Sequence, residues 1–176
     1  MDSGVDLTVR KASSADAELL ASMGERLFSD AYGSMNDPDD MAAYLRGAFA
    51  PEIQARELGQ PGSVFFIAEE SGEAVGYARI LSGGSAPTCI TGSRPIELVR
   101  MYSAQSHIGK GIGGRLITAC IEEGRVGGYD VMWLSVWQKN PRAIAFYQKW
   151  GFEIAGAATF TIGSDIQTDW IMGRRL

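Results

Sequence analysis

"SHIGKGIGGRL" occupies residues 106–116 and places Gly109, Gly111, Gly113 and Gly114 within six positions, with Lys110 among them. Glycine loses more backbone freedom on folding than any other residue, so such a run needs a conformational reason. The stretch then becomes helical in pattern: Gly113, Leu116, Ile117, Cys120, Ile121 and Gly124 fall on one face. A glycine-rich turn opening a helix can aim backbone N–H groups at an anion, and the helix dipole adds roughly half a positive charge, so the stretch reads as a phosphate site. A glycine-rich turn without a ligand is the plainer alternative.

Gly109-x-Gly111-x-x-Gly114 matches the dinucleotide fingerprint literally, but its surroundings do not. That fingerprint follows its strand directly, and the next strand ends in an acid that takes the ribose hydroxyl. Here several residues separate "PIELVRMYS" (95–103) from Gly109, and the following strand ends Val136-Trp137-Gln138-Lys139. A hairpin precedes the motif where a doubly wound fold has a helix. A Walker loop is excluded because no Gly-Lys-Ser/Thr follows the glycines.

The 176 residues, 45% hydrophobic and 21% charged, suit one domain over 1–176. Sixteen basic against 21 acidic residues give a net charge of −5, which weighs against nucleic acid and permits a cationic substrate. No apolar run reaches the roughly 20 residues of a membrane span. "MDSGVDLTVR" (1–10) is acidic and poor in apolar residues, unlike a signal peptide. Cys89 and Cys120 lack metal-type spacing, so no metal is expected, and Cys120 reads as a core residue. The expected setting is the reducing cytoplasm.

Elements follow from periodicity and caps. "LTVRKA" (7–12) alternates as a strand, and "SSADAELLASMGERLF" (13–28) is a serine-capped helix with Leu20, Met23 and Leu27 in its stripe. "DPDDMAAYLRGAF" (37–49) is a helix capped by Asp37 with Pro38 in its first turn. Asp39 and Asp40 there read as dipole partners, or else as attraction for a cationic substrate. "PEIQARELG" (51–59) is a short helix ending at Gly59. The period then becomes two: "SVFFIAEE" (63–70) and "EAVGYARIL" (73–81) flank the Ser71-Gly72 hairpin turn. "YDVMWLSVW" (129–137) is a buried strand and "NPRAIAFYQKWG" (140–151) a helix capped by Asn140. Two strands around Gly163-Ser164 end the chain. The order is β-α-α-β-β-β-α-β-α-β-β, with the second helix allowed to break.

"ELVRMYS…GKGIGGRL", followed by Asn140-x-x-Ala143-x-x-Phe146-Tyr147 and Gly151-Phe152, resembles the GNAT superfamily of acetyl-CoA-dependent N-acetyltransferases over nearly the whole chain. "DPDDMAAYLRGAF", "VWQKNPRAIAFYQKWGF" and "QTDWIM" are more narrowly similar to the PaiA-type spermidine/spermine N-acetyltransferases. The resemblance implies an α/β fold with a mixed, mostly antiparallel central sheet and a splayed parallel strand pair. It implies acetyl-CoA as co-substrate. Backbone groups at Met101, Tyr102 and Ser103 would hold the pantetheine and polarise the acetyl oxygen, with Leu134 to Trp137 as the other lip. The turn formed by Gly109, Lys110, Gly111, Ile112, Gly113 and Gly114 would take the pyrophosphate, and Asn140 would also touch the co-substrate. The family's usual Gln or Arg two residues before Lys110 is replaced by Ile108, which has no side-chain donor. His107 reads as an exposed loop histidine, or as a substitute polar contact.

Tyr147 is the acid that the resemblance assigns to the leaving thiolate; spacing alone would make it a core aromatic beside Phe146. Glu97, charged in a buried strand, reads as a general base or as one half of an ion pair with an arginine. Strand alternation places Glu97 with Val99 and Met101, and Arg100 on the opposite face. The leading expectation is acetylation of a small cationic amine, best a polyamine, with a homodimer left open and neither nucleic acid nor membrane as partner. Other acceptors (a protein N-terminus, a lysine, an amino acid or an aminoglycoside) and a non-catalytic CoA sensor are the alternatives.

Overall fold

The computed structural model describes residues 6–176. The first five residues of "MDSGVDLTVR", the stretch read as unlike a signal peptide, lie outside the described residues. Seven strands form one sheet in the order β1-β2-β3-β4-β5-β7-β6. They are β1 (Leu7–Lys11), β2 (Ser63–Glu70), β3 (Glu73–Ser82), β4 (Pro95–Ser103), β5 (Val131–Trp137), β6 (Glu153–Ile162) and β7 (Asp165–Arg175). All neighbours are antiparallel except β4 and β5, which run parallel. The expected mixed α/β architecture with one parallel pair is therefore present.

Helices α1 (Ala17–Tyr32), α2 (Pro38–Phe49) and α3 (Pro51–Leu58) precede β2. Asp37 caps α2 by accepting from the Asp39 and Asp40 amides, as its sequence predicts. The helical segment breaks at Ala50, whose ψ of 145° is extended, and Pro51 starts α3. The first helix is displaced from the expected 13–28: a 3₁₀ turn at Ser14–Asp16 comes first, and the helix continues to Tyr32. Its start is organised by the Asp16 carboxylate, which accepts from the Ser13 amide at 2.7 Å and pairs with Arg10 at 2.9 Å. Arg10 holds that carboxyl down to about 2.

Helix α4 (Ile112–Val126) lies on the other face and α5 (Pro141–Lys149) follows β5. Leu116, Ile117 and Cys120 of α4 are fully buried against Ile80, Leu98 and Met132 of the sheet. Leu116 and Ile117 each contribute about 1.5–3 kcal/mol through burial. Phe28, Met41, Leu45 and Phe49 of α1 and α2 close the opposite face with Ile162. Among the described residues no helix is long and apolar enough to cross a membrane.

Two local devices shape the β4–β5 pair. At its start the Asp130 carboxylate accepts from the Ser93 amide at 2.6 Å, the Ser93 hydroxyl at 2.8 Å and the Arg94 amide at 3.0 Å, tying the residues before β5 to those before β4. This is why β5 begins at Val131 rather than at the expected Tyr129. Pairing then lasts for three positions, Pro95–Val131, Ile96–Met132 and Glu97–Trp133, and stops. Beyond it lies the second device, a bulge in β4: Arg79 faces Arg100 and Ile80 faces Leu98, so Val99 is the extra residue. A bulge shifts side-chain alternation by one. Glu97, Arg100 and Tyr102 consequently share the face of their partners Leu81, Arg79 and Tyr77, while Met101 joins Leu98 on the α4 side. The expected grouping of Glu97 with Met101, away from Arg100, is thus corrected.

Gly76 of β3 is where the bulged strand passes closest. A Cβ there would lie 2.8 Å from the Tyr102 carbonyl oxygen and 3.0 Å from Ile112. Gly76→Ala should cost about 1–3 kcal/mol in urea unfolding, whereas Gly47→Ala, in open space on α2, should stabilise by about 0.5–1 kcal/mol.

Candidate active site

Where β4 and β5 separate, a cavity of about 460 Å³ opens through the sheet. Its walls include Glu97 to Ser103 of β4, Leu134 to Trp137 of β5, Asn140, Ala143 and Tyr147 at α5, and Phe28, Tyr32 and Tyr44 of α1 and α2. Phe160 of β6 and Asp169 of β7 complete it. Beyond Glu97, β4 has no strand partner on its β5 side, so the backbone at Met101, Tyr102 and Ser103 borders the gap. The Tyr102 side chain turns to the α1 face, with ring centroids 5.9 Å from Tyr77 and 6.0 Å from Phe28.

The glycine turn stands at the α4 end of the same region. Gly109 and Gly111 have φ of 82° and 88°, a conformation that disfavours every L side chain. A Cβ at either position would meet nothing within 4 Å. Gly113 faces Phe146 of α5, where a Cβ would lie a tight 3.2 Å away, whereas a Cβ on Gly114 would meet Trp150, just after α5, at an ordinary 3.5 Å. Gly111 is the N-cap of α4 and supplies no side-chain cap. The amides of Gly109, Gly111, Ile112, Gly113 and Gly114 make no hydrogen bond among the described residues. This cradle fits a pyrophosphate. The Lys110 amide differs from these, since it donates to the His107 carbonyl at 3.1 Å. The Ile112 side chain is 1% exposed and belongs to the core.

His107 is neither an exposed loop histidine nor turned to the cradle. Its Nε2 lies 2.8 Å from Glu70 Oε2, which pins the turn to the end of β2. Ile108 is exposed at the cavity rim.

Tyr147 sits on α5 between Phe146 and Phe152, at centroid distances of 5.4 Å and 5.7 Å. The helix ends where Gly151 takes φ 82°; the Phe152 amide then donates to the Tyr147 carbonyl, and the Gly151 amide to Gln148. This Schellman closure fixes the turn that carries Tyr147. Burial pushes its phenol well up, so it remains protonated throughout the neutral range. Asn140 caps α5 through the Ala143 amide at 3.2 Å and borders the cavity.

Glu97 makes no ion pair or hydrogen bond among the described residues, and burial raises its pKa against the pull of Arg79 and Arg100. The expected alternative, an ion pair with an arginine, is not formed, because Glu57 occupies both arginines. Its carboxylate takes Arg100 at 2.7 Å and 2.8 Å and Arg79 at 3.0 Å. The acids of α2 are not in the cavity wall either: Asp37 caps its helix and Asp40 accepts from the Ser164 amide and hydroxyl. Asp169, by contrast, was not legible as a site residue, and its one sequence signal is an acid within the apolar strand "TDWIM".

The family model for the acetyltransferase (GNAT) family matches residues 25–152. The chain belongs to the GNAT family. It is 30% identical over 166 residues to an uncharacterized N-acetyltransferase from Lactobacillus delbrueckii subsp. lactis, covering 94% of this chain and 95% of that one. A Mycobacterium tuberculosis N-acetyltransferase is 30% identical over 161 residues, covering 92% and 98%. Among solved structures, the fold is similar to PaiA N-acetyltransferase from Thermoplasma acidophilum in complex with coenzyme A, with TM-score 0.78, 20% identity and coverage of 97% and 99%. Aminoglycoside N-acetyltransferase AAC(6')-Iy in complex with CoA gives TM-score 0.70 at 18% identity, covering 94% and 99%. The GNAT assignment makes the chain an acyltransferase of the N-acetyltransferase kind. A fold does not fix an acceptor, which is decided by the side chains of the site.

Glu57→Gln should leave two largely buried arginines without their carboxylate. The expected loss is about 3–5 kcal/mol in urea unfolding, with the Arg100 wall of the cavity loosened at the same time.

Proposed function

We propose that this GNAT chain transfers acetyl from acetyl-CoA to a polyamine such as spermidine or spermine. The observation that carries the reading is Glu97, a half-buried carboxylate left without a counter-ion in the wall of the cavity between β4 and β5. An acceptor ammonium supplies the missing charge. The motifs shared with PaiA-type polyamine acetyltransferases support the same acceptor class. The free amides from Gly109 to Gly114, Lys110 excepted, would hold the pyrophosphate, and Asn140 would border the pantetheine arm. Acetyl-CoA supplies the acetyl thioester.

The protein's part is proton management and charge stabilisation. A primary amine with a pKa near 10 is about one part in a few thousand neutral at pH 7, a handicap of roughly 4–5 kcal/mol. Glu97 offsets it by accepting the amine's proton through water, and burial raises its basicity for that role. Backbone amides of Met101 and Ser103, which strand alternation turns away from β3, would face the acetyl oxygen as negative charge develops there, an interaction worth about 3–4 kcal/mol per good donor. Tyr147, held protonated by burial, gives its proton to the departing thiolate. Ile108 at the rim leaves pyrophosphate binding to backbone donors.

Turnover of an amine panel, followed by thiol release, tests the assignment. Spermidine or spermine should be acetylated, and Tyr147→Phe should lower kcat about 10²- to 10⁴-fold with acetyl-CoA affinity unchanged. The defect should shrink with a donor whose thiol leaves more readily. A folded Phe variant with near-normal kcat, where chemistry limits the rate, would remove Tyr147 from the reaction.

A further inference from the structure

Asp169 lies in the middle of β7, opposite Trp137 of β5 and Ala158 of β6. It is 8% exposed, it borders the cavity, and its Oδ1 has no hydrogen-bond partner. Among the described residues it makes no ion pair. Burial raises its pKa with no opposing cation to pull it back. A buried polar atom left unsatisfied in a native fold calls for a ligand or a functional account. Salt-bridged carboxylates elsewhere in the chain, such as Glu57 and Asp16, show the usual solution that Asp169 lacks.

The surroundings of Asp169 are aromatic. The register puts Trp137 and Phe160 on its face of the sheet. Tyr32 of α1 approaches the Trp137 ring at 6.3 Å, and Tyr44 of α2 approaches Phe160 at 5.9 Å and Phe28 at 4.8 Å. Aromatic faces attract cations, most strongly where water is excluded. Of the cations near this enclosure, Arg100 is held by Glu57, the Lys139 ammonium lies 6.0 Å from the Trp137 ring centroid, and Arg142, exposed, also borders the cavity; among the described residues none of them pairs with Asp169.

We propose that Asp169 is a specificity residue that binds a second ammonium group of the acceptor inside the enclosure of Tyr32, Tyr44, Trp137 and Phe160. The assignment rests on the polyamine acetyltransferase reading and narrows it. Glu97 stands opposite Trp133 and Asp169 opposite Trp137, so at about 3.3 Å per strand residue the two backbone positions are ~13 Å apart along the sheet. An acceptor addressed by both is an extended diamine or polyamine. One amine reacts on the Glu97 side while the distal ammonium stays bound, which fixes the reacting end in place.

Calorimetric titration of spermidine and of butylamine into the CoA-saturated protein provides the test. Spermidine should bind the unmodified chain at least 10-fold more tightly than butylamine. Asp169→Asn should erase that preference while leaving butylamine and CoA affinities within 2-fold, and Asp169→Glu should restore part of it. Because the aspartate is an unpartnered buried charge, Asp169→Asn should melt at the same temperature or higher; a lower melting temperature would mark a structural role and overturn the proposal. Equal binding of the two amines, or a preference that survives in the Asn variant, would also overturn it. Turnover separates this failure from that of the functional reading. Spermidine acetylated with unchanged KM by Asp169→Asn leaves the enzyme reading intact and removes Asp169. Asp169-dependent spermidine binding without acetylation keeps the site and removes the polyamine reaction.

Discussion

The β4–β5 pair is held shut at one end and held open at the other, and the rest of the molecule is arranged around that fork. Asp130 closes it by collecting donors from Ser93 and Arg94 just before β4. The Val99 bulge opens it by breaking the alternation that a continuing parallel ladder would need. Two strands that diverge inside a sheet leave backbone groups bordering a buried space, and such groups are costly unless something binds them. A site is therefore an outcome of the topology before any particular side chain is considered.

The fork also brings chemistry from both faces of the sheet to one place. Tyr147 arrives from α5 on the side of the glycine turn, and Glu97 and Asp169 from the side covered by α1 and α2. Donor and acceptor can thus approach from opposite faces and meet in the gap. The buried Glu57 carboxylate matters to this division because it neutralises Arg79 and Arg100 together. With those arginines occupied, Glu97 remains without an ion-pair partner in the cavity wall.

Much of this was legible in the sequence, and the failures have physical causes. The Asp37-Pro38 and Asn140-Pro141 caps, the Ser71-Gly72 turn and the glycine turn read correctly because each is a local backbone requirement encoded by adjacent residues. The face of Glu97 was misread because a single inserted residue, Val99, inverts every later position in the strand and leaves no mark in composition. His107 was misread because its partner, Glu70, is 37 positions away. Asp169 was not singled out because an acid in a strand is ordinarily solvated; only the long-range packing of α1, α2 and β6 around it buries it. Of the acids at the start of α2, conspicuous in the sequence, Asp37 proved to be the cap and Asp40 a partner of Ser164.

Amide hydrogen exchange with and without CoA tests the central claim, that the open end of the fork and the glycine turn form one binding surface. Bound CoA should protect the amides of Met101 and Ser103 together with those of Gly109 and Gly111 to Gly114, with little change at the closed end around Pro95–Glu97 and Val131–Trp133. Protection confined to the glycine turn, or concentrated away from both segments, would contradict the account.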